Sequence, residues 1–349
     1  MATMKAVVFS EHGGPEVLRW EEVPRPEPGP GEVLVEIKAA GINHLDLWTR
    51  MGVPGVEPMP HIPGNDGAGL VAEVGPGVSQ VEVGMECVVA PAIPGPWTLE
   101  RLRGDENLGK GYQILGYSTQ GTHAEFVVVP EVCIIPKPDN LSWEEAGSYA
   151  LTFLTAWHML GPKRADLRPG EGVLIIGAGS GVGSAAIQIA RLLGADPIIT
   201  TAGKEFEKKK KLALELGATH VINHLEEEIS QRVKEITGGR GVEVVFEHVG
   251  PAVFEECILA LRRGGRLVTC GATTGPTVEL DLRHVFFRHL TIYGSMMGSQ
   301  AELLEATRFI AEGRLRPVVD RTFPMSQAAE AHRYIEERRQ FGKVVLVPG

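Results

Sequence analysis

Hydrophobic positions follow different periods on the two sides of residue 170. Before it, apolar runs are short and broken by glycine and proline. Lys5 to Phe9 and Val17 to Trp20 flank the turn Gly13, Gly14, Pro15 and predict a hairpin. Val33, Val35 and Ile37 alternate with other residues as in a half-buried strand. HIPGNDGAGLVAEVG and VEVGMECVVAP predict two more strands around a glycine-rich bend, and Thr122 to Pro130 another. Antiparallel, turn-rich sequence of this kind predicts a small β-barrel. Within it, Asn43 to Gly52 predicts a short helix, capped by Asn43 and closed by Gly52. Gly95 to Gly116 is polar, has no clear period and reads as a surface lobe.

After residue 170 the pattern changes. Val173 to Ile176 is apolar without alternation, the pattern of a strand buried on both faces of a parallel sheet. Gly177, Gly179, Gly181 and Gly183 follow, and Ala185, Ala186, Ile189 and Leu192 then mark one face of a helix. A strand turning tightly into a helix aims free N–H groups and the positive end of the helix dipole at one point, which suits a phosphate. The strict G-x-G-x-x-G string is not met, because Val182 stands where the third glycine would fall. Taken alone, the run is open to a second reading, a tight turn with small packing residues. Further apolar strands at Pro197 to Thr201, Val221 and Ile222, Val242 to Phe246 and Arg266 to Cys270 alternate with helices, and this predicts a doubly wound α/β sheet.

Ser142 to Gly161, with Ser142 and Glu145 in capping-box spacing, predicts one buried helix joining two domains. Ala301 to Glu312 and Ser326 to Glu337 predict helices, Pro317 to Phe323 an extended segment, and Lys343 to Val347 a closing strand that returns to the first domain. The expected domains are 1–138 completed by 312–349, and 139–311. Arg288 to Ser295 reads as an edge strand that invites pairing with its own copy.

Composition narrows the function. A chain of 349 residues fits two domains, and 43% hydrophobic residues with a net charge of −10 exclude a disordered chain and disfavour a nucleic-acid partner. No apolar run approaches the ~20 residues of a membrane span, and MATMKAVVF lacks the regions of a signal peptide. Cys87, Cys133, Cys257 and Cys270 are far apart without C-x-x-C spacing, so a cytoplasmic location is expected.

AAGINHLDLWTRMG, PGNDGAGLVAEVGPGV, YQILGYSTQGTHAEFVVVP, LTFLTAWH, GAGSGVGSAAIQIAR, LGATHVIN and the terminal FGKVVLV together resemble the medium-chain dehydrogenase/reductases over essentially the whole length. The resemblance implies a GroES-like β-barrel catalytic domain completed by the tail, and a Rossmann dinucleotide-binding domain inserted between. Relatives that oxidise alcohols hold a catalytic zinc at positions occupied here by Asn43, Asn65 and Leu151. Neither amide is a good zinc ligand and leucine is none. A structural zinc of the same relatives falls on Gly95, Thr98, Arg101 and Gly109, so the lobe survives without its ligands. His44, Asp46, His61, Asp66 and His123 lie close in sequence, but a replacement metal site there is not expected. The pattern is most similar to the zinc-free quinone oxidoreductase branch, which carries an asparagine at the Asn43 position and an aspartate at the Asp66 position. Trp48 departs from it, standing where many members have a tyrosine.

Without a metal, an unactivated alcohol is a poor substrate, whereas a quinone or α,β-unsaturated carbonyl spreads incoming negative charge over several atoms. The candidate catalytic residues are Asn43, Asp46, Trp48, Arg50 and Asp66. Two roles are open to Asn43, helix cap or donor at the reacting centre. Arg50 is open to simple pairing with an acidic neighbour, and Asp66 to anchoring of the barrel turns. The resemblance implies cofactor contacts from Thr152 and from the loop Gly179, Ser180, Gly181, Val182 and Gly183. It adds Thr201, Gly203 and Lys204 after the second strand, then His224 and Val249, then Gly271, Ala272 and Met296. The second strand ends Thr200, Thr201, Ala202, Gly203, Lys204 without the carboxylate that would hold the ribose of NAD, and Lys204 suits the 2′-phosphate of NADP (NADPH). Lys209 to Lys211 read as a solvated helix face. The expected function is zinc-free, NADPH-dependent reduction of a quinone or enone by a homodimer or homotetramer. The alternatives are an alcohol or aldehyde dehydrogenase, or a non-catalytic nucleotide-binding protein.

Overall fold

A computed structural model describes residues 2–56 and 59–349. The chain divides into two compact units, Met1–Thr152 with Ser299–Gly349, and Phe153–Gly298.

The first unit is built on a seven-stranded sheet. Its order is Val319–Pro324, Lys343–Val347, Glu32–Ile42, Gly67–Val74, Glu86–Val89 and Ile134–Pro136, and Phe126–Pro130 also pairs with Glu32–Ile42. The alternation of Val33, Val35 and Ile37 predicts one covered face, but Leu34 is buried as well, so both faces of this strand are covered. The predicted hairpin is present, Thr3–Val8 antiparallel to Arg19–Pro24. The closing strand Lys343–Val347 returns to this unit, antiparallel to Glu32–Ile42 with Val344 opposite Ile42 and Val345 opposite Gly41. Extended by one residue, this register sets Lys343 across from Asn43, where the helix His44–Met51 begins.

The predicted helix from Ser142 to Gly161 is two helices, Trp143–Ala146 and Ala150–Leu160. The capping box of Ser142 and Glu145 is present. The break follows from Gly147, whose Cα lies so close to the Glu32–Ile42 strand that a Cβ there would meet the Ala39 carbonyl oxygen at 2.4 Å. The Gly147 carbonyl accepts the Gly41 N–H of that strand at 2.7 Å instead of an amide of its own helix.

The second unit is a six-stranded, all-parallel sheet in the order His220–Asn223, Ile198–Ala202, Val173–Ile175, Val242–Glu247, Leu261–Thr269 and Thr291–Gly294. Strand order reverses between Val173–Ile175 and Val242–Glu247, the switch point at which open α/β sheets bind ligands. Leu174, Ile199, Ile222, Val245 and Leu267, one from each of five strands, form its core with Phe254 and Ile258 of a covering helix. Thr291–Gly294 lies at the sheet edge, while Arg288 ends the preceding helix Leu282–Arg288. Lys209 corrects the expectation of a solvated lysine face. It is 7% exposed on the helix Phe206–Leu216, because positions four and seven residues on, Ala213 and Leu216, define the same buried side. Among the described residues no helix is long and apolar enough to cross a membrane.

Candidate active site

In the first unit the helix His44–Met51 is capped through backbone groups. Asn43 N–H donates to Asp46 Oδ2 at 2.7 Å, and Asp46 N–H donates to the Asn43 carbonyl at 3.1 Å. Asn43 and Asp46 stand in capping-box relation at this helix start, and the Asn43 side chain also joins a buried cluster. Its Nδ2 donates to Asp66 Oδ2 at 3.0 Å, and its Oδ1 accepts from Lys343 Nζ. Lys343 Nζ also donates to Asp66 Oδ2 at 2.9 Å. The other carboxylate oxygen, Asp66 Oδ1, accepts the Leu151 N–H at 2.7 Å, from the first turn of Ala150–Leu160. Asp66 is fully buried, with Lys343 5% and Asn43 6% exposed. A carboxylate at a helix N-terminus, paired with an ammonium, keeps its negative charge compensated out of water.

Two of the three residues that the resemblance sets at zinc-ligand positions therefore meet at Asp66, Asn43 through its amide and Leu151 through its backbone. Asn65 turns elsewhere, donating from Nδ2 to the Leu115 carbonyl at 2.6 Å. Asp46 lies beside this cluster, with Oδ1 accepting the Gly64 N–H at 2.9 Å. Burial pushes its carboxyl up to about 7, against the pull of both N–H groups and of Lys343. Arg50 is fully buried and binds other partners, the Gly13 carbonyl at 3.1 Å, His332 Nδ1 at 3.2 Å and Glu336. It ties its helix to the tail helix Ala328–Glu336. Trp48 is half-buried, its ring 6.3 Å from that of His44. Lys343 is absent from the candidates that the sequence suggests. Its only signal is the terminal FGKVVLV, whose register against Glu32–Ile42 lies beyond local pattern.

The positions of the relatives' structural zinc are also drawn together. Arg101 Nη1 donates to the Gly95 carbonyl at 2.7 Å, and Arg101 N–H donates to Thr98 Oγ1 at 3.3 Å. Gly109 approaches so closely that a Cβ there would lie 3.3 Å from the same hydroxyl. His61 Nε2 lies 3.0 Å from the Gly116 carbonyl and its ring packs on Phe9. Among the described residues no group of three or more His, Cys, Asp or Glu is placed to hold a metal ion.

In the second unit the glycine loop has the form a dinucleotide requires. Gly177 has φ +73°, its N–H donates to Thr201 Oγ1 at 2.9 Å, and Ser180 Oγ accepts the Gly183 N–H at 2.9 Å to cap the helix Gly181–Leu192. A Cβ at Gly183 would meet the Gly177 carbonyl at 2.2 Å, so only glycine permits this turn. Gly179, Gly181 and Val182 complete the loop and first turn. His248, which sequence pattern does not single out, sits on it, with Nε2 donating to the Ile176 carbonyl at 2.9 Å and lying 3.3 Å from Ser180 Oγ. Burial holds its imidazole below the ordinary value. Fully buried Glu247 accepts the Val249 and Gly250 N–H groups and orders the neighbouring turn. Gly271 packs so tightly there that a Cβ would meet the His248 carbonyl at 2.7 Å, and Ala272 accepts the Gly275 N–H.

At the end of Ile198–Ala202, Gly203 lies against His224, whose Nε2 a Cβ would meet at 2.7 Å. Lys204 is exposed. Glu205, one residue on, has φ +56° at the N-cap of the next helix and pairs with Lys208 at 3.5 Å. A pocket of about 540 Å³ beside it is lined by Glu205, Phe206, Glu207, Lys208, Asn223 and Glu226. Thr152, in the first unit, donates from Oγ1 to the Tyr149 carbonyl, and Met296 is 51% exposed.

A GroES-like unit carrying a buried polar cluster, with a Rossmann unit carrying a phosphate-binding loop, defines a nicotinamide-dependent oxidoreductase. Residues 29–139 match the alcohol dehydrogenase GroES-like domain, and residues 181–312 match the zinc-binding dehydrogenase domain. The chain belongs to the medium-chain dehydrogenase/reductase superfamily. A solved NAD-dependent alcohol dehydrogenase is 48% identical, with TM-score 0.94 over 99% of this chain and 100% of that one. A crotonyl-CoA carboxylase/reductase solved with NADP is 31% identical, with TM-score 0.89 over 99% and 94%. A quinone oxidoreductase of Salmonella typhimurium is 34% identical over 98% of this chain and 99% of its own.

His123 and His332, both fully buried near Lys343 and Arg50, give the first unit a pH dependence. Burial pushes His123 down to about 4, with the Lys343 charge adding to it against the pull of the Gly41 carbonyl. Burial, with His123 and Arg50 nearby, holds His332 well below the ordinary value. The unfolded chain takes up the His123 proton as pH falls through 6.5, and the folded chain only near 4. Stability present above 6.5 is therefore lost on acidification. Asp46, held up at about 7, works in the opposite sense, so the histidine contribution is read by difference. Between about pH 8 and about pH 5, wild type should lose about 2 kcal/mol more than His123→Gln in urea denaturation. Parallel pH profiles for the two proteins would contradict this.

Proposed function

We propose that the protein reduces a quinone or an α,β-unsaturated carbonyl with hydride from NADPH and without zinc, in the cytoplasm. The observation that carries this reading is the buried Lys343–Asp66–Asn43 cluster, in which an amide stands at a position that the resemblance gives to a zinc ligand. Two amides, a leucine and an ammonium do not suit zinc, which takes thiolate, imidazole or carboxylate. An ammonium there also repels a dication. The names of two relatives, crotonyl-CoA carboxylase/reductase and quinone oxidoreductase, support an activated acceptor. The bound cofactor supplies the hydride, held by the Gly179–Gly183 loop with Thr201, Gly203 and Lys204. Hydride adds to the carbon β to the carbonyl, the alkene electron pair moves to form an enolate, and a proton from solvent completes the α carbon. Purified protein should hold less than stoichiometric zinc, keep its activity in chelator, and oxidise NADPH with quinones or enones. Tightly bound zinc whose removal abolishes turnover, or turnover confined to alcohols and aldehydes, would favour alcohol dehydrogenase instead.

NADPH preference is assigned to Lys204, since the strand before it carries no carboxylate and Glu205 is engaged with Lys208. A second reading, NADH, is favoured by the acidic lining of the adjoining pocket and by the NAD dependence of the alcohol dehydrogenase that is 48% identical. A charge-assisted contact at an exposed site is worth roughly ten- to a hundredfold in binding. Lys204→Ala should weaken NADPH by about that factor and leave NADH nearly unchanged, measured by fluorescence titration. Equal affinity of wild type for both cofactors would transfer the assignment to NADH.

The protein is proposed to act as a homodimer or homotetramer. Among the described residues Thr291–Gly294 has a partner strand on one side only, and Leu282, Phe286 and Phe287 on the preceding helix are 67%, 58% and 61% exposed. An open strand edge beside an apolar patch favours self-association about a two-fold axis. Sedimentation at micromolar concentration should give a dimer or tetramer mass, and a monomer would refute the assembly.

A further inference from the structure

We infer that His248 is the positioning residue of the phosphate-binding loop, an imidazole that pins the turn 177–180 from the neighbouring strand and so sets how tightly the dinucleotide is held. This rests on the reading of that loop as the cofactor site and needs nothing of the acceptor. The loop leaves Val173–Ile175, which lies between Ile198–Ala202 and Val242–Glu247 in the sheet. On the first side Thr201 Oγ1 accepts the Gly177 N–H at 2.9 Å, and the Thr201 carbonyl accepts the Ala178 N–H at 2.9 Å. From the second side, just past the end of Val242–Glu247, the His248 side chain reaches across. Its Nε2 lies 2.9 Å from the Ile176 carbonyl and 3.3 Å from Ser180 Oγ.

A carbonyl oxygen can only accept, so Nε2 carries the hydrogen and the tautomer is fixed. Ser180 Oγ donates its single hydrogen to the Gly177 carbonyl at 2.9 Å and accepts the Gly183 N–H at 2.9 Å, which leaves its second lone pair for the imidazole N–H. One donor thus ties the end of the strand to Ser180, the N-cap of Gly181–Leu192. The ring occupies the space beside Gly177, where a Cβ would lie 3.4 Å from Nε2. His248 is itself held from behind. Its carbonyl accepts Thr273 Oγ1 at 2.9 Å, the preceding Glu247 accepts Thr269 Oγ1 at 2.7 Å, and the Val249 carbonyl accepts Thr274 Oγ1 at 2.8 Å. The turns after Val242–Glu247 and Leu261–Thr269 are stitched together in this way, and His248 joins them to the phosphate loop. N–H groups at a helix start hold a phosphate best when they already converge on it. A loop anchored on one side only loses more conformational entropy when its ligand binds, and that loss is subtracted from affinity.

Two variants separate positioning from packing. His248→Leu keeps apolar bulk without a donor, and His248→Gln returns an N–H donor of similar reach. His248→Leu should unfold within a few degrees of wild type. Its dissociation constant, read by fluorescence titration with whichever of NADPH and NADH wild type binds more tightly, should rise roughly tenfold. His248→Gln should stay within about threefold of wild type. A second readout uses the protein without nucleotide. In His248→Leu the Gly183 and Ser184 amides, which donate to Ser180, should exchange hydrogen roughly tenfold faster, with protection of Val173–Ile175 unchanged. Wild-type affinity in His248→Leu, or a His248→Gln protein as weak as it, overturns the role of His248. So does a His248→Leu protein that fails to fold or loses protection evenly across the sheet, the signature of a packing residue. Wild type that binds neither nucleotide overturns the cofactor reading, whereas faster exchange confined to the loop still supports His248 as its anchor.

Discussion

A buried ion pair is stable only when each charge has partners that water would otherwise supply, and the pair of Lys343 with Asp66 governs the local structure of the first unit in that way. Removing one member of such a pair typically costs about 3 to 5 kcal/mol, because the other stays buried and unpaired. Three distant segments are therefore held to one geometry. The tail strand must keep the register that sets Lys343 opposite Asn43. The helix Ala150–Leu160 must begin where its Leu151 N–H reaches Asp66. Asn43 must be capped through its backbone, by Asp46, for its side chain to lie between the two charges. A one-residue slip of the tail would place Lys343 on the opposite face and leave Asp66 uncompensated.

The same logic recurs in the lobe around residues 95–109. There the Arg101 guanidinium gathers the Gly95 carbonyl while its backbone engages Thr98. In both places a cation belonging to the chain stands among residues that the resemblance sets at metal-ligand positions. An internal cation is weaker than zinc as a polarising agent, but it is covalently present and cannot be lost to a chelator.

The parts of this organisation legible in the sequence are those written in local pattern. The parallel sheet is readable because its strands are buried on both faces and punctuated by glycine, and the tail strand Lys343–Val347 lies at the predicted residues. The Ser142–Gly161 segment reads as one helix because the reason for its break, the approach of Gly147 to Ala39, is a tertiary contact with no local signature. Lys209 reads as solvated because a run of lysines masks the helical period that buries one of them. In the candidate site, Asn43 and Asp66 stand out through their motifs, whereas their meeting with Lys343 depends on strand register between segments about three hundred residues apart in sequence. The competing roles of Asn43 mark the limit of local pattern. Cap and donor look exclusive in the sequence, whereas in the structure Asn43 is both the N-cap residue and a member of the buried cluster.

The choice between metal and ammonium bears on the direction of the proposed chemistry. Oxidising an alcohol requires its hydroxyl proton to leave before or with the hydride, and a metal ion assists by making a bound alkoxide accessible near neutral pH. An ammonium already paired with a carboxylate offers a hydrogen bond, which stabilises an oxyanion once it forms but lowers the pKa of an alcohol far less. For a conjugated acceptor the demand is reversed, since hydride arrives first at carbon and the oxygen gathers charge over a delocalised path. On the proposed reading, the replacement of all three zinc ligands by Asn43, Asn65 and Leu151 therefore biases the site toward reduction of activated acceptors.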